Sequence, residues 1–368
     1  MNKKVLINLQ IDTMRIAQLV SLQESVPPKG KNGLEYMVYY LTEELVSRGH
    51  EVTLFATSDS VTSARLIEIL PYPMSRGNLF GLTSTHYALT VITKAVEMAE
   101  EFDIIHSHLG SPAYYFPNLI DTPIVETVHS AHRDVACIKQ EKHLQRYCVD
   151  RKSRFYKLHH TFVSRSQKEC FAPASNSSVI HNGIKLADFT FQSEGEEYFA
   201  YLGYLTKEKG AHFAVQAARK AGVKLKLAGS YYGCEAYFDN EIRPYLKKGQ
   251  IEYVGVLDPK ERNEFLGNAK SLLFPIDWEE PFGLVMIEAM ACGTPVIGLN
   301  RAAVSEVVKN GKTGFVVENI HEMEMAIKNV DLIKRADCRN HVEKNFSVEK
   351  MADSYEKIYQ KTATNFRK

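Results

Sequence analysis

Residues 271–298 read SLLFPIDWEEPFGLVMIEAMACGTPVIG, and this stretch decides the fold of the chain. Residues 271–275 and 294–298 are short apolar runs, each typical of a buried strand. The segment between them is apolar enough for a buried helix, which we expect Pro281 to begin and Gly293 to end. A strand, a helix and a second strand in this order predict a parallel βαβ unit.

The same alternation of strands and helices runs along the rest of the chain. Strands are predicted at 15–22, 51–56, 103–108, 123–129, 160–164, 178–181, 198–203, 223–229, 251–255, 271–275, 294–298 and 314–317. Helices are predicted at 34–48, 91–100, 212–220 and 347–361. This pattern predicts an α/β protein with doubly wound parallel sheets. The rhythm restarts after a polar stretch, so we expect two domains, residues 1–187, of which 1–13 are an extension, and residues 188–346.

Length and composition limit the classes of function. A chain of 368 residues suits two domains. Lys and Arg number 45 against 44 Asp and Glu, which argues against bulk attraction to nucleic acid or anionic lipid. No apolar stretch is long enough to span a bilayer, and the N-terminus lacks a signal-peptide pattern. The six cysteines form no C-x-x-C pair, so we expect reduced thiols, no structural zinc and a cytoplasmic protein.

Two acidic residues mark the candidate site. In doubly wound sheets, ligands bind beyond the carboxyl ends of the strands, where Glu280 and the start of the following helix are expected. The free backbone N–H groups at a helix start favour an anion. Glu288 lies within that apolar helix, and a carboxylate there needs a partner. A sugar diol would serve, but so would a salt bridge, with Glu280 as a helix cap.

The complete motif resembles the E-x7-E signature of the family 4 retaining glycosyltransferases. Glu280 and Glu288 stand eight apart, with Pro-Phe-Gly between them and Ala-Met-Ala-Cys-Gly-Thr-Pro-Val after Glu288. The resemblance covers nearly the whole chain from Met14 onward. It implies the GT-B fold, in which two Rossmann-like doubly wound domains face each other across a cleft. It also implies that the terminal helix, within residues 347–368, crosses back onto the first domain.

The resemblance assigns a donor-binding role to this motif. Glu288 is expected to hold the ribose hydroxyls of a nucleotide sugar, and Glu280 to contact hydroxyls of the donor sugar as a catalytic residue. Four backbone amides are expected near the donor sugar and phosphates, those of Phe282, Gly283, Leu284 and Val285.

A second segment, LGYLTKEKG at residues 202–210, matches the family's G-R-L-x-x-x-K-G loop. Lys209 then stands where a lysine binds the diphosphate, and a cation there stabilises the departing leaving group. The alternative for Lys209 is a solvated surface lysine. The family usually has Arg where Tyr204 stands, so this donor-binding position carries no charge here.

Further residues are assigned by the same resemblance. His129 ends a predicted strand and is expected near the donor sugar as a catalytic residue, while His106 and His108 end the preceding strand. Gly33 belongs to a loop where similar enzymes carry an aromatic-Gly-Gly run; here the run reads Lys-Asn-Gly. Gly255 and Val256 terminate a strand where such enzymes hold the nucleotide base. The alternatives are a structural role for each histidine and a plain tight turn at Gly33.

The function implied is that of a retaining glycosyltransferase. It moves a sugar from a nucleotide-sugar donor to a hydroxyl acceptor, and UDP-hexose is the expected donor because it is common among similar enzymes. No cofactor, metal or nucleic-acid partner is expected, while contact with the inner face of the membrane and the oligomeric state stay open. Two alternatives remain: a donor-binding protein without transfer activity, and another GT-B activity such as a nucleotide-sugar epimerase or a phosphorylase.

Overall fold

A computed structural model describes residues 13–29, 33–77, 83–130, 158–170 and 176–366. The predicted extension at residues 1–13 lies outside this description except for its last residue, as do Lys31 and Asn32 of the Lys-Asn-Gly run. No helix in the described ranges is long and apolar enough to cross a membrane.

The first sheet has seven strands in the described residues, in the order β3-β2-β1-β4-β5-β6-β7. Its strands are β1 Arg15–Leu19, β2 Glu51–Thr57, β3 Arg65–Leu70, β4 Ile104–Ser107, β5 Ile124–Val128, β6 Leu158–Phe162 and β7 Ser177–Val179. The helices that the structure describes in this part of the chain are α1 Gly33–Ser47, α2 Ser84–Glu97 and α3 Arg165–Cys170. β1 pairs in parallel with β2 on one side and β4 on the other, so the strand order reverses there.

The second sheet has six strands in the described residues, in the order β10-β9-β8-β11-β12-β13. Its strands are β8 Tyr198–Leu202, β9 Lys224–Ala228, β10 Ile251–Gly255, β11 Ser271–Phe274, β12 Val296–Leu299 and β13 Gly314–Val317. The remaining helices are α4 Ala211–Ala221, α5 Glu235–Glu241, α6 Pro259–Asn268, α7 Leu284–Ala291, α8 Val304–Val307, α9 Ile320–Asn329, α10 Arg335–Asn345 and α11 Val348–Phe366. Here the order reverses between β8 and β11, which pair in parallel.

Parallel strand pairs that alternate with helices along the chain confirm the predicted α/β class. Every residue of β11 and β12 is buried, as their continuous apolar sequences predict. The core of the second sheet packs α4 and α9 against the strands. Its buried members include Phe199, Leu227, Phe238, Leu273 and Ile297.

The described chain divides into two compact units. The first contains the described parts of Met1–Thr127, Lys152–His160 and Ala352–Lys368, and the second those of Val128–Arg151 and Thr161–Met351. Helix α11 therefore belongs to the first unit from Ala352 onward. The predicted domain division at 187 and 188 stays a prediction.

Three local predictions were wrong. The sequence analysis missed β3, an edge strand whose half-exposed pattern lacks a continuous apolar run. Helix α2 begins at Ser84 rather than near residue 91. Pro281 lies before α7 instead of in its first turn, since Gly283 takes a left-handed conformation and is the N-cap of the helix.

Candidate active site

The candidate site is built at the point where the strand order of the second sheet reverses. β8 and β11 are neighbours there, and their carboxyl ends lead into loops at residues 203–210 and 275–283. Such a reversal opens a crevice beside the strand ends, where ligands of this fold class bind. The backbone N–H of Asp277 donates to the carbonyl of Glu208 at 2.9 Å, which ties the two loops together.

A buried tyrosine, Tyr201, anchors the loop after β8. The buried Tyr201 hydroxyl donates to the carbonyl of Tyr204 at 2.8 Å and lies 3.3 Å from the carbonyl oxygen of Lys209. Burial raises the pKa of Tyr201 well above its usual value, so the hydroxyl stays protonated and remains a donor. The Leu205 N–H donates to the carbonyl of Ser230 at 2.8 Å, which fixes the other side of the loop.

Lys209 and Glu280 meet across the two loops, 71 residues apart in the sequence. The ammonium forms an ion pair with Oε2 of Glu280. The indole N–H of Trp278 donates to the same oxygen at 2.8 Å, and the ammonium lies 4.3 Å from the centroid of the indole ring. The side chain of Lys209 is 29% exposed, so it is not a solvated surface lysine.

Glu288 lies on α7 and is buried among apolar neighbours, as its position predicts. Nη1 of Arg262, on α6, lies 3.5 Å from its Oε1 atom. The salt bridge considered from the sequence is therefore present in this structure. Glu280, in contrast, lies four residues before α7 and does not cap it. The role of Glu288 toward ribose hydroxyls stays a prediction.

The start of α7 presents backbone rather than side chains. Phe282 is buried, with its ring centroid 5.8 Å from those of His181 and Phe346, so only its backbone could reach a ligand. Gly283 has φ +80°, a conformation that favours glycine. Leu284 and Val285 open the helix, where the first N–H groups have no partner within the helix and attract anions.

Three further donor-binding predictions also fall at carboxyl ends of this sheet. Tyr204 follows β8 and is 47% exposed, and Val256 follows β10 and is 55% exposed. Gly255 ends β10 with φ +86°, and its carbonyl accepts from the backbone N–H of Gly229 at 2.8 Å. The side chains of Tyr204 and Val256 are therefore accessible to solvent at the carboxyl ends of β8 and β10.

His129 and Gly33 lie near the first sheet. His129 directly follows β5, and burial lowers the pKa of its half-buried imidazole to about 3, which keeps the ring neutral at neutral pH. Gly33 is the first residue of α1. The roles of both residues toward a donor stay predictions.

His106 and His108 are structural histidines inside the first unit. The two ring nitrogens of His106 lie 2.6 Å from the Tyr359 hydroxyl and 2.7 Å from the Thr127 hydroxyl. His108 Nε2 lies 3.0 Å from the side-chain oxygen of Gln18. Among the described residues, no group of three or more His, Cys, Asp or Glu side chains could hold a metal ion. Independence from a metal stays a prediction.

Sequence analysis missed three residues that hold the site, Tyr201, Arg262 and Trp278. Trp278 had a signal, because it is the only tryptophan and stands two residues before Glu280. Tyr201 lies in a strand in which its hydroxyl needs a partner once buried. Arg262 reaches Glu288 from a different helix, and no local pattern marks such a pair.

Two family models together match most of the chain. The model described as Glycosyltransferase Family 4 matches residues 31–188, and the model described as Glycosyl transferases group 1 matches residues 185–361.

Individual proteins are also similar to the chain over most of its length. The chain is 26% identical to glycogen synthase of Mycobacterium tuberculosis (strain CDC 1551 / Oshkosh), over 78% of this chain and 79% of that protein. It is 26% identical to N-acetyl-alpha-D-glucosaminyl L-malate synthase of Bacillus anthracis, over 94% of this chain and 97% of the other. Its fold is similar to the crystal structure of Anabaena HepE in complex with UDP and glucose, with a TM-score of 0.71 and 16% identity over 95% and 100% of the two chains.

Proposed function

This chain belongs to the family 4 glycosyltransferases of the GT-B fold, and we propose that it transfers a hexose from a UDP-sugar to a hydroxyl acceptor with retention of configuration. The observation that carries this proposal is the pair of Lys209 and Glu280, which come together at the strand reversal of the second sheet. A cation for phosphate and a carboxylate for sugar hydroxyls are the two groups that a sugar diphosphate needs.

In this proposal, each residue binds a different part of the donor. Lys209 turns from Glu280 to the diphosphate, together with the N–H groups at the start of α7. Glu280 accepts hydrogen bonds from sugar hydroxyls, and Glu288 accepts from the two ribose hydroxyls. The crystal structures of HepE that hold UDP or UDP-glucose support a uridine donor for this chain.

The proposed chemistry is a displacement on one face of the sugar. The bond between the anomeric carbon and the diphosphate breaks, and a bond from that carbon to the acceptor oxygen forms. The acceptor proton passes to an oxygen of the departing diphosphate. Lys209 stabilises the charge that develops on that leaving group, and the protein otherwise acts by positioning. Because Lys209 supplies this charge, we propose that the reaction needs no metal, and full activity in excess EDTA would bear this out.

A binding screen tests the donor first. Thermal unfolding is measured with UDP-, GDP- and ADP-hexoses, each with its free nucleotide. A ligand at 100 times its dissociation constant stabilises the folded state by about 2.7 kcal/mol, a measurable shift. We expect a shift with UDP and UDP-hexose. A shift with GDP or ADP compounds alone would contradict the uridine assignment, and no shift with any would contradict donor binding.

A second measurement tests the transfer. With an acceptor found by screening against the bound donor, the anomeric configuration of the product is read by proton NMR at early times. We expect the configuration of the donor. An inverted product would refute the retaining mechanism while leaving the donor assignment intact.

A donor-binding protein without transfer activity is the second candidate. The observation that favours it is Tyr204, an uncharged, half-exposed residue where the family usually has Arg. Tight binding of UDP-hexose without release of UDP across a broad acceptor screen would support this candidate. Tyr204→Arg would then be expected to restore turnover.

A further inference from the structure

Trp278 contacts both members of the Lys209 and Glu280 pair, and no family signature assigns it a role. Its indole N–H donates to Oε2 of Glu280 at 2.8 Å. Its ring lies under the ammonium of Lys209, 4.3 Å from centroid to Nζ. One side chain therefore supplies a hydrogen bond to the carboxylate and a cation–π surface to the lysine.

The backbone fixes the indole beside the carboxylate. The N–H of Glu280 donates to the carbonyl of Trp278 at 2.9 Å, so the chain turns tightly between the two residues. The neighbouring N–H of Asp277 is bonded to the carbonyl of Glu208, in the loop that carries Lys209. The same turn thus positions both the indole of Trp278 and the carboxylate of Glu280. A displacement of either residue would move the other.

The same oxygen of Glu280 accepts from both Trp278 and Lys209, and this matters when a donor binds. The proposed function requires Lys209 to leave Glu280 for the diphosphate. If Lys209 were the only partner of Glu280, the carboxylate would rotate freely once Lys209 had left. Ordering it against the sugar would then cost entropy. The indole N–H stays in place, because it has no part in phosphate binding, and it keeps Oε2 occupied while Oε1 faces the sugar.

We propose that Trp278 is a positioning residue for the donor sugar, which holds Glu280 in its sugar-binding orientation after Lys209 moves to the diphosphate. The proposal rests on the proposed function, since it requires a sugar diphosphate. It predicts that Trp278 matters for binding of the sugar moiety and not for binding of the nucleotide.

The test compares UDP and UDP-glucose binding by calorimetry in the wild type, Trp278→Phe and Trp278→Leu. Phe keeps an aromatic face for Lys209 and loses the N–H, while Leu loses both. We expect unchanged UDP affinity in Trp278→Phe and UDP-glucose affinity lowered about tenfold, since a hydrogen bond to a charged group is lost. Tyr245→Leu is the matched control, because Tyr245 lies 4.4 Å below the guanidinium of Arg219 in a similar cation–π pair.

A double-mutant cycle separates positioning from a general structural role. In the Glu280→Ala background, Trp278→Phe should change UDP-glucose affinity no further, because the group it acts through is gone. Equal weakening of UDP and UDP-glucose by Trp278→Phe, or further weakening in the Glu280→Ala background, would overturn the proposal. Wild-type affinity for UDP-glucose in Trp278→Phe would overturn it as well, with the proposed function left standing.

The wild-type protein provides an independent readout, since Trp278 is the only tryptophan of the chain. Departure of the ammonium from the ring should change the emission intensity of the tryptophan when UDP-glucose binds. Unchanged emission at saturating UDP-glucose would overturn the proposal even if the variants failed to fold. If wild-type calorimetry shows no binding of either UDP or UDP-glucose, the proposed function itself fails, and the two failures are thereby distinguished.

Discussion

Nη1 of Arg262 lies 3.5 Å from Oε1 of Glu288, and this pair joins α6 to the helix that carries the second acid of the signature. Glu288 is buried on α7, where a carboxylate without a cation would be costly. In the protein without a donor, the charge of Arg262 therefore offsets the cost of burying the Glu288 carboxylate. Its contact with Oε1 also orients the other oxygen, Oε2.

Arg262→Met should lower both stability and nucleotide affinity. The free energy of unfolding, measured in urea, should fall by about 2 kcal/mol, because a mostly buried carboxylate loses its cation. Affinity for UDP should fall together with that for UDP-glucose, since Glu288 is proposed to bind the ribose. Adding Glu288→Gln to this variant should recover much of the stability. A double variant less stable than Arg262→Met would show that the arginine acts through other neighbours.

Variants of Glu288 and Lys209 should separate donor binding from turnover. Glu288→Ala should chiefly raise the KM for the donor, because ribose contacts are made before and during transfer. Lys209→Ala should chiefly lower kcat, since its charge is needed as the diphosphate departs. Steady-state kinetics with varied donor measure both effects. Unchanged kinetics in both variants would refute the assignment of the site.

The meeting of the two loops that carry Lys209 and Glu280 was predictable from the fold. Lys209 and Glu280 lie far apart in sequence, but each follows a strand that flanks the reversal of the second sheet, so their loops must meet. The bond between Trp278 and Glu280 was not predictable, because it depends on a side-chain rotamer and on a local turn. Strand β3 was missed for a related reason: edge strands are half exposed and do not show a continuous apolar run.

Gly210 and Gly222 lie at the two ends of α4 with φ +74° and +71°, which makes them a matched pair. A Cβ at Gly210 would overlap the carbonyl of Pro275, whereas a Cβ at Gly222 would meet nothing within 4 Å. Gly222→Ala should therefore cost only the conformational strain, about 1 kcal/mol. Gly210→Ala should cost more in urea unfolding and also weaken donor binding, because it separates the Lys209 loop from the end of β11. Equal effects of the two variants would contradict this close approach.

A buried ion pair in the first unit anchors the terminal helix. Glu356 of α11 is 2% exposed; its carboxylate accepts from Arg48 at 2.8 Å and lies 3.0 Å from Nε2 of His50. Glu356→Ala leaves Arg48 without its buried partner and should lower the free energy of unfolding by about 3 kcal/mol. Asp353→Ala is the control, since Asp353 contacts the same guanidinium at 2.9 Å but is 42% exposed. It should cost less than about 1 kcal/mol. Similar losses in urea unfolding would argue against burial as the cause.

The neutral state of His129 should be visible as a pH dependence of stability. Burial lowers its pKa to about 3 in the folded protein, whereas an unfolded histidine has a pKa of about 6.5. Above that pH both states are neutral and stability is unaffected. As the pH falls through the unfolded value, only the unfolded state binds the proton, so stability is lost progressively down to the folded value.

His129→Asn removes this titration and leaves every other group in place. Between pH 7.5 and pH 5 the wild type should lose more free energy of unfolding than the variant, by at most about 2 kcal/mol. The half-buried ring sets this as an upper limit, because solvent screens part of the effect. Urea unfolding at both pH values measures the difference. Parallel pH profiles would show that the folded protein binds a proton at His129 as readily as the unfolded chain does, which would contradict an imidazole that stays neutral down to pH 5.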